Sequence, residues 1–153
     1  MSSTTVVDNE FLYEEVINFT QITEYGVGLD KILDAQYTIP PEGVRIDVAF
    51  EGTIQGDKLR GKIEGVDYLR IDPEGKFHLF LRGKITTEEN EAIAFDAEGI
   101  AIPNPETAVA QVTQNVKLTT ASSIYSWVNK LEIFVQGKAN LNLGQVHLKG
   151  YSV

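Results

Sequence analysis

The chain contains no cysteine. That absence removes disulfide frameworks, thiolate metal sites and cysteine nucleophiles together. Histidine is almost as scarce: His78 and His147 are the only two, far apart and without a local ligand spacing, so no metal site is expected. Basic residues number 13 against 22 acidic ones, for a net charge of -9. A surface of that sign repels phosphate backbones and anionic lipid, which excludes nucleic acid and the membrane surface as expected partners. No apolar run is long enough to span a bilayer as a helix. Met1–Glu10 has neither a basic n-region nor an apolar h-region, so no secretory leader is expected, and together with the missing cysteines this points to a cytoplasmic protein.

Two further absences concern catalysis. No glycine lies in a strand, glycine-rich loop and helix unit with a basic residue in place, so a phosphate-binding loop and nucleotide hydrolysis are excluded. Ser122 and Ser123 lack the strand-to-helix context of a nucleophile elbow and read as caps for a short helix. No cofactor is expected.

What the chain does have is alternation. At 153 residues, with 42% hydrophobic and 23% charged residues, it is long enough to bury about 70% of its unfolded surface as one domain. Val44, Ile46, Val48 and Phe50 share one face of a strand while Arg45, Asp47 and Glu51 share the other. Leu59 to Gly65, Val66 to Ile71 and Phe77 to Ile85 continue the pattern, separated by the polar turns Gln55–Lys58 and Asp72–Gly75. Glycines at 52, 56, 61, 65, 75 and 83 interrupt these ribbons, and glycine inside a strand marks a bulge or a corner, as in a sheet bent into a barrel.

The remaining elements follow the same logic. Phe11, Tyr13, Ile17 and Phe19 fall on one parity and Leu12, Val16 and Ile22 on the other, predicting a first strand partly buried on both faces. Gly28–Leu33 reads as a single helical turn or an irregular connection, and Pro40-Pro41 with Gly43 as a turn. Ala92–Ile102 reads as a strand stopped by Pro103-Asn104-Pro105, followed by strands at Val109–Thr119, Leu131–Val135 and Gln145–Val153. Ile124, Trp127, Val128 and Leu131 recur at intervals of three and four, predicting one short helix near 122–130. The expectation is an all-β fold: a single antiparallel β-barrel over residues 9–153, preceded by a flexible terminus at 1–8.

The order Gly65-Val66-Asp67-Tyr68-Leu69-Arg70-Ile71-Asp72 and Gly75, then Arg82 and Thr86-Thr87, resembles an uncharacterised bacterial and fungal family of small β-barrels. That family carries a Gly-x-Asp-Trp step followed by an arginine and an Asp-Gly turn, with Tyr68 standing here at the tryptophan position. Tyr125-Ser126-Trp127-Val128-Asn129, Phe134-Val135-Gln136-Gly137 and Tyr151-Ser152-Val153 are similar to its second half. The resemblance implies a closed or nearly closed, calycin-like barrel and no settled activity.

Candidate functional residues come from strand parity. Asp67 shares a face with Leu69 and Ile71, and a carboxylate among apolar neighbours is either a general acid or base, a ligand acceptor, or a structural group paired with Arg82 or Arg70. Tyr68 and Arg70 share a face, either as an interior donor pair or as an exterior stacked pair. His78, Phe80 and Arg82 form one face of a strand that presents a cation, a ring and an imidazole either to an anionic or aromatic ligand or, with Lys76 and Lys84, to solvent or a second subunit. Trp127 with Tyr125 packs across a barrel mouth or lies over a ligand there. Three uses are open: binding of a small amphiphilic or aromatic metabolite in the barrel, among Phe80, Tyr68 and the aliphatic strands; a cofactor-free isomerase or cyclase with Asp67 moving a proton while Arg82 or Tyr68 steadies developing negative charge; and a structural subunit, in a homo-oligomer, whose barrel is filled by its own side chains.

Overall fold

The computed structural model describes residues 10–153; the expected flexible terminus at 1–8 lies outside the described residues. Eight strands follow one another around a closed barrel: β1 (Glu10–Glu24), β2 (Val44–Gln55), β3 (Arg60–Ile71), β4 (Phe77–Thr87), β5 (Ala92–Asn104), β6 (Val109–Thr119), β7 (Ile133–Asn140) and β8 (Gln145–Ser152). Every pair is antiparallel, and β1 closes the ring by pairing with both β2 and β8. Closure removes the unpaired edges that an open sheet would leave to other chains.

Alternation is what makes these segments strands. In β6, Ala110, Val112, Gln114, Val116 and Leu118 are buried while Gln111, Thr113, Asn115 and Lys117 are exposed. In β1 the period slips, because the register with β8 shifts between Phe11 and Tyr13 and that with β2 between Phe19 and Gln21. The extra residue at Leu12 lets both Leu12 and Tyr13 be buried in succession, which accounts for the apolar residues on both parities of this strand. The inward-facing positions of β3 and β4 include Gly65 and Gly83, which pair with each other. A Cβ on either would strike the backbone of the neighbouring strand, so glycine is what allows the two to coil this tightly.

Turns carry the residues their geometry needs. Asp72 Oδ1 accepts the amides of Glu74 and Lys76, and Gly75 takes φ +87°. Strand β5 continues to Asn104 through Pro103, two residues past the expected stop; Pro103 pairs in register with Ala110 where the ladder ends, a position that tolerates proline.

The alternating chain direction sorts the connections to two ends. The β2–β3, β4–β5 and β6–β7 links lie at one end, which Leu59, Tyr125 and Val128 close as buried side chains. The short helix expected near 122–130 is a 3-10 turn over Ser126–Lys130, capped by neither Ser122 nor Ser123. Ser122 donates instead to Glu91, and the Asn129 amide ties the segment down by exchanging hydrogen bonds of 2.8 Å with both the amide and the carbonyl of Thr120. At the other end the long β1–β2 connection contributes α1 (Leu29–Ile32), a single helical turn. No helix among the described residues is long and apolar enough to cross a membrane.

Candidate functional site

A cavity of about 70 Å³ lies inside the barrel, toward the end that carries α1. Its walls are apolar: Val48, Phe50, Phe77, Leu79, Leu81, Val112 and Leu148 from four different strands, with Phe19, Leu29 and Leu141 at the mouth. Ala101, Ala110 and Ala139 also line it, and these small inward side chains leave the space that larger ones would fill. The half of the barrel toward Leu59 and Val128 is packed solid with Ile54, Ile63, Ile85, Ile93 and Leu118.

Two polar side chains reach this chamber, Asp67 and Gln114. Asp67 faces inward from β3, as its shared parity with Leu69 and Ile71 predicts. Its Oδ1 accepts the Phe80 amide at 2.9 Å, at the point where the β3–β4 register passes from Asp67–Leu81 to Arg70–His78. The carboxylate therefore serves a backbone amide within this gap in the ladder, across which the register is unchanged. Burial pushes its pKa up to about 6, against the opposing pull of the Phe80 amide and with a further push from Asp47. Neither Arg82 nor Arg70 pairs with it among the described residues. Gln114 is 4% exposed, and its Oε1 has no hydrogen-bond partner.

Deeper on the same inward stripe of β1 sit Tyr13 and Glu15, both fully buried. Among the described residues, neither oxygen of Glu15 nor the Tyr13 hydroxyl has a partner. Burial pushes the Glu15 pKa to about 8, so the side chain is mostly a neutral acid at pH 7. Burial, reinforced by Glu15, raises Tyr13 above the ordinary tyrosine value. Glu15 pairs in register with Leu148, and both Leu148 and the next inward residue of β1, Ile17, line the chamber. The sequence signal for Glu15 and Gln114 was a polar residue at the centre of an apolar stripe, between Tyr13 and Ile17 and between Val112 and Val116.

Five residues singled out from the sequence lie outside this chamber. Tyr68, Arg70, His78, Phe80 and Arg82 point away from the lumen, so the expectation that Tyr68 and Phe80 surround an interior ligand is corrected: inward positions of β3 and β4 belong to the odd-numbered residues. They form an outer belt. The Arg82 guanidinium stacks 3.8 Å from the Phe80 ring centre and lies 3.3 Å from Asp96, and His78 Nε2 meets Asp72 at 2.9 Å. Arg45 lies 5.6 Å from the Tyr25 ring and 5.5 Å from that of Tyr68, and Arg70 stands between Arg45 and His78 in register. Trp127 packs beside Tyr125 at the closed end, opposite the mouth, and so does not cover the chamber. No group of three or more histidine, aspartate or glutamate side chains among the described residues is arranged to hold a metal ion.

Comparison with solved structures finds the same barrel in several organisms. A β-barrel-like protein from Acinetobacter baumannii superposes with a TM-score of 0.78 at 19% identity, covering 99% of each chain. A protein of unknown function from Clostridium acetobutylicum gives 0.77 at 20% identity, over 96% of this chain and 99% of its own. A protein described as an enzyme, from Penicillium herquei, gives 0.68 at 16% identity, over 99% and 98%. At these identities the likeness is one of fold. No curated protein matches the chain. A family model does match, over residues 33–153, a span that holds Asp67, Gln114 and seven of the eight strands: the chain belongs to the family described as "Protein of unknown function (DUF3237)".

Proposed function

We propose that this protein binds a small, mainly apolar molecule inside the barrel, with Asp67 and Gln114 fixing its polar end. The observation that carries this reading is the chamber itself: apolar walls, one mouth, and two inward polar groups, a composition typical of small-molecule sites. A chamber of about 70 Å³ suits a compact ligand, and a longer one would extend past Leu29 and Leu141 into the mouth. A filled structural barrel is the poorer reading, because packing three alanines around an open space forgoes the contacts that larger side chains would make there.

A second reading has a specific observation in its favour. A carboxylate whose pKa lies near 6 in a mostly apolar chamber is placed to accept a proton from a bound substrate, and one structural relative is called an enzyme. In that reading Asp67 is the base. Arg82 and Tyr68, on the outer face, would not steady the developing charge.

Native mass spectrometry of the purified protein tests the binding reading. The expected result is a bound species of low mass that is released on denaturation, and that is retained in part by Asp67→Asn. Protein that purifies empty, and takes up no compound from a library of small aromatic and aliphatic molecules, would overturn it.

A further inference from the structure

Among the described residues, the barrel interior holds two carboxyl groups, Asp67 and Glu15, and no cation. All 13 lysines and arginines lie on the outside: twelve are exposed, and the half-buried Arg82 pairs outward with Asp96. Both histidines are exposed as well. The elements packed around Glu15 offer it no counter-charge, since its register partners are Ile54 on β2 and Leu148 on β8 and its nearest titratable neighbour is Tyr13. Of the unpartnered interior atoms, Gln114 Oε1 is an acceptor, while the neutral Glu15 carboxyl and the Tyr13 hydroxyl can each donate or accept. Gln114 is an independent mark of a ligand, because it is buried, lines the chamber, and offers an oxygen that no protein group uses.

Building on the binding reading above, we propose that the ligand is a small organic amine, whose ammonium group sits against Asp67 and Gln114. An ammonium carries three donors and no acceptor, which complements the Asp67 carboxylate and the unused Gln114 oxygen at the chamber wall. The phenylalanine rings of Phe19, Phe50 and Phe77 in the chamber wall favour a cation further. An anionic ligand would meet the Asp67 carboxylate and no positive group, and is excluded on the same ground. The net charge of -9 steers cations toward the protein from a distance.

Three probes with nearly the same body and different charge decide the matter: benzylamine, benzyl alcohol and benzoate, titrated calorimetrically at pH 6 and low salt. Benzylamine is expected to bind about tenfold tighter than benzyl alcohol, the margin between a charge-assisted and a neutral hydrogen bond, with benzoate showing no binding. Amine binding should also release protons, seen as a heat that changes with the ionisation enthalpy of the buffer, because the ammonium favours the ionised form of Asp67. Asp67→Asn keeps an oxygen for the Phe80 amide and should lose the preference for the amine while still binding the alcohol, which shows that the variant is folded. Equal affinity for amine and alcohol, or a preference that survives in Asp67→Asn, would overturn the amine proposal and leave the binding reading standing. Failure of all three probes to bind would overturn both.

Discussion

Replacing Glu15 by glutamine should change how stability depends on pH. The carboxyl titrates near 4.5 when exposed and near 8 in the folded barrel, so protonation favours the native state. Below pH 4.5 the group is neutral in both states and burial carries no ionisation penalty. As pH rises from 4.5 to 8 the unfolded chain loses its proton while the folded one keeps it, and stability falls by about 1.4 kcal/mol per pH unit. Above pH 8 both states are ionised and the loss levels off, at roughly 5 kcal/mol for the whole shift of about 3.5 units. Glutamine cannot titrate, so Glu15→Gln should gain on the wild type by about 3 to 4 kcal/mol between pH 5 and pH 8. The comparison across pH cancels whatever the buried amide itself costs. Urea unfolding followed by the fluorescence of Trp127, the sole tryptophan, measures it directly. Wild type and variant that run parallel from pH 5 to pH 8 would show that Glu15 is solvated or partnered, and would refute the reasoning.

Other outcomes follow from the same geometry. Asp67→Leu should be less stable than Asp67→Asn by about 1 to 3 kcal/mol in urea, because the Phe80 amide loses its acceptor inside the β3–β4 ladder. Gly150→Ala places a methyl 2.7 Å from the Tyr13 ring, which is buried and cannot retreat, and should lower stability by about 1 to 3 kcal/mol. Val128→Ala at the closed end should cost more stability than Leu29→Ala at the mouth, whereas Leu29→Ala alone should speed exchange of a luminal probe, read by stopped-flow fluorescence. Tyr68→Ala and Phe80→Ala should leave the affinity for benzyl alcohol unchanged, since both rings lie on the outer belt; a loss of binding in calorimetry would move the site to the surface.

How much of this was legible beforehand varies from strand to strand. β6 was read to the residue, because nothing breaks its alternation and both of its ends are marked by a change to polar or proline-bearing sequence. β1 was legible as a strand with two buried parities but not as one with a bulge, since an extra residue such as Leu12 looks the same in sequence as a strand buried on both sides. On β3 the inward direction of Asp67 follows from Leu69 and Ile71. Across β3 and β4 together, however, the outward Tyr68 and Phe80 are as apolar as many inward residues, and the inward Gly65 and Gly83 carry no side chain to vote with. Parity there is decided by register around the closed ring, which no single ribbon contains. Gln114 and Glu15 were hidden for a different reason: a buried polar group without a partner runs against the rule that reading from composition relies on. Such exceptions concentrate where a protein does something other than fold.

The central claim, that the chamber inside the barrel is the binding site, is tested most directly by methyl spectra of protein labelled at isoleucine, leucine and valine and titrated with benzyl alcohol. Shifts confined to the inward methyls of Ile17, Val48, Leu79, Leu81 and Leu148 are the predicted result. Shifts confined to the outward methyls of Ile22, Ile100 and Ile102, with the inward set unmoved, would contradict it.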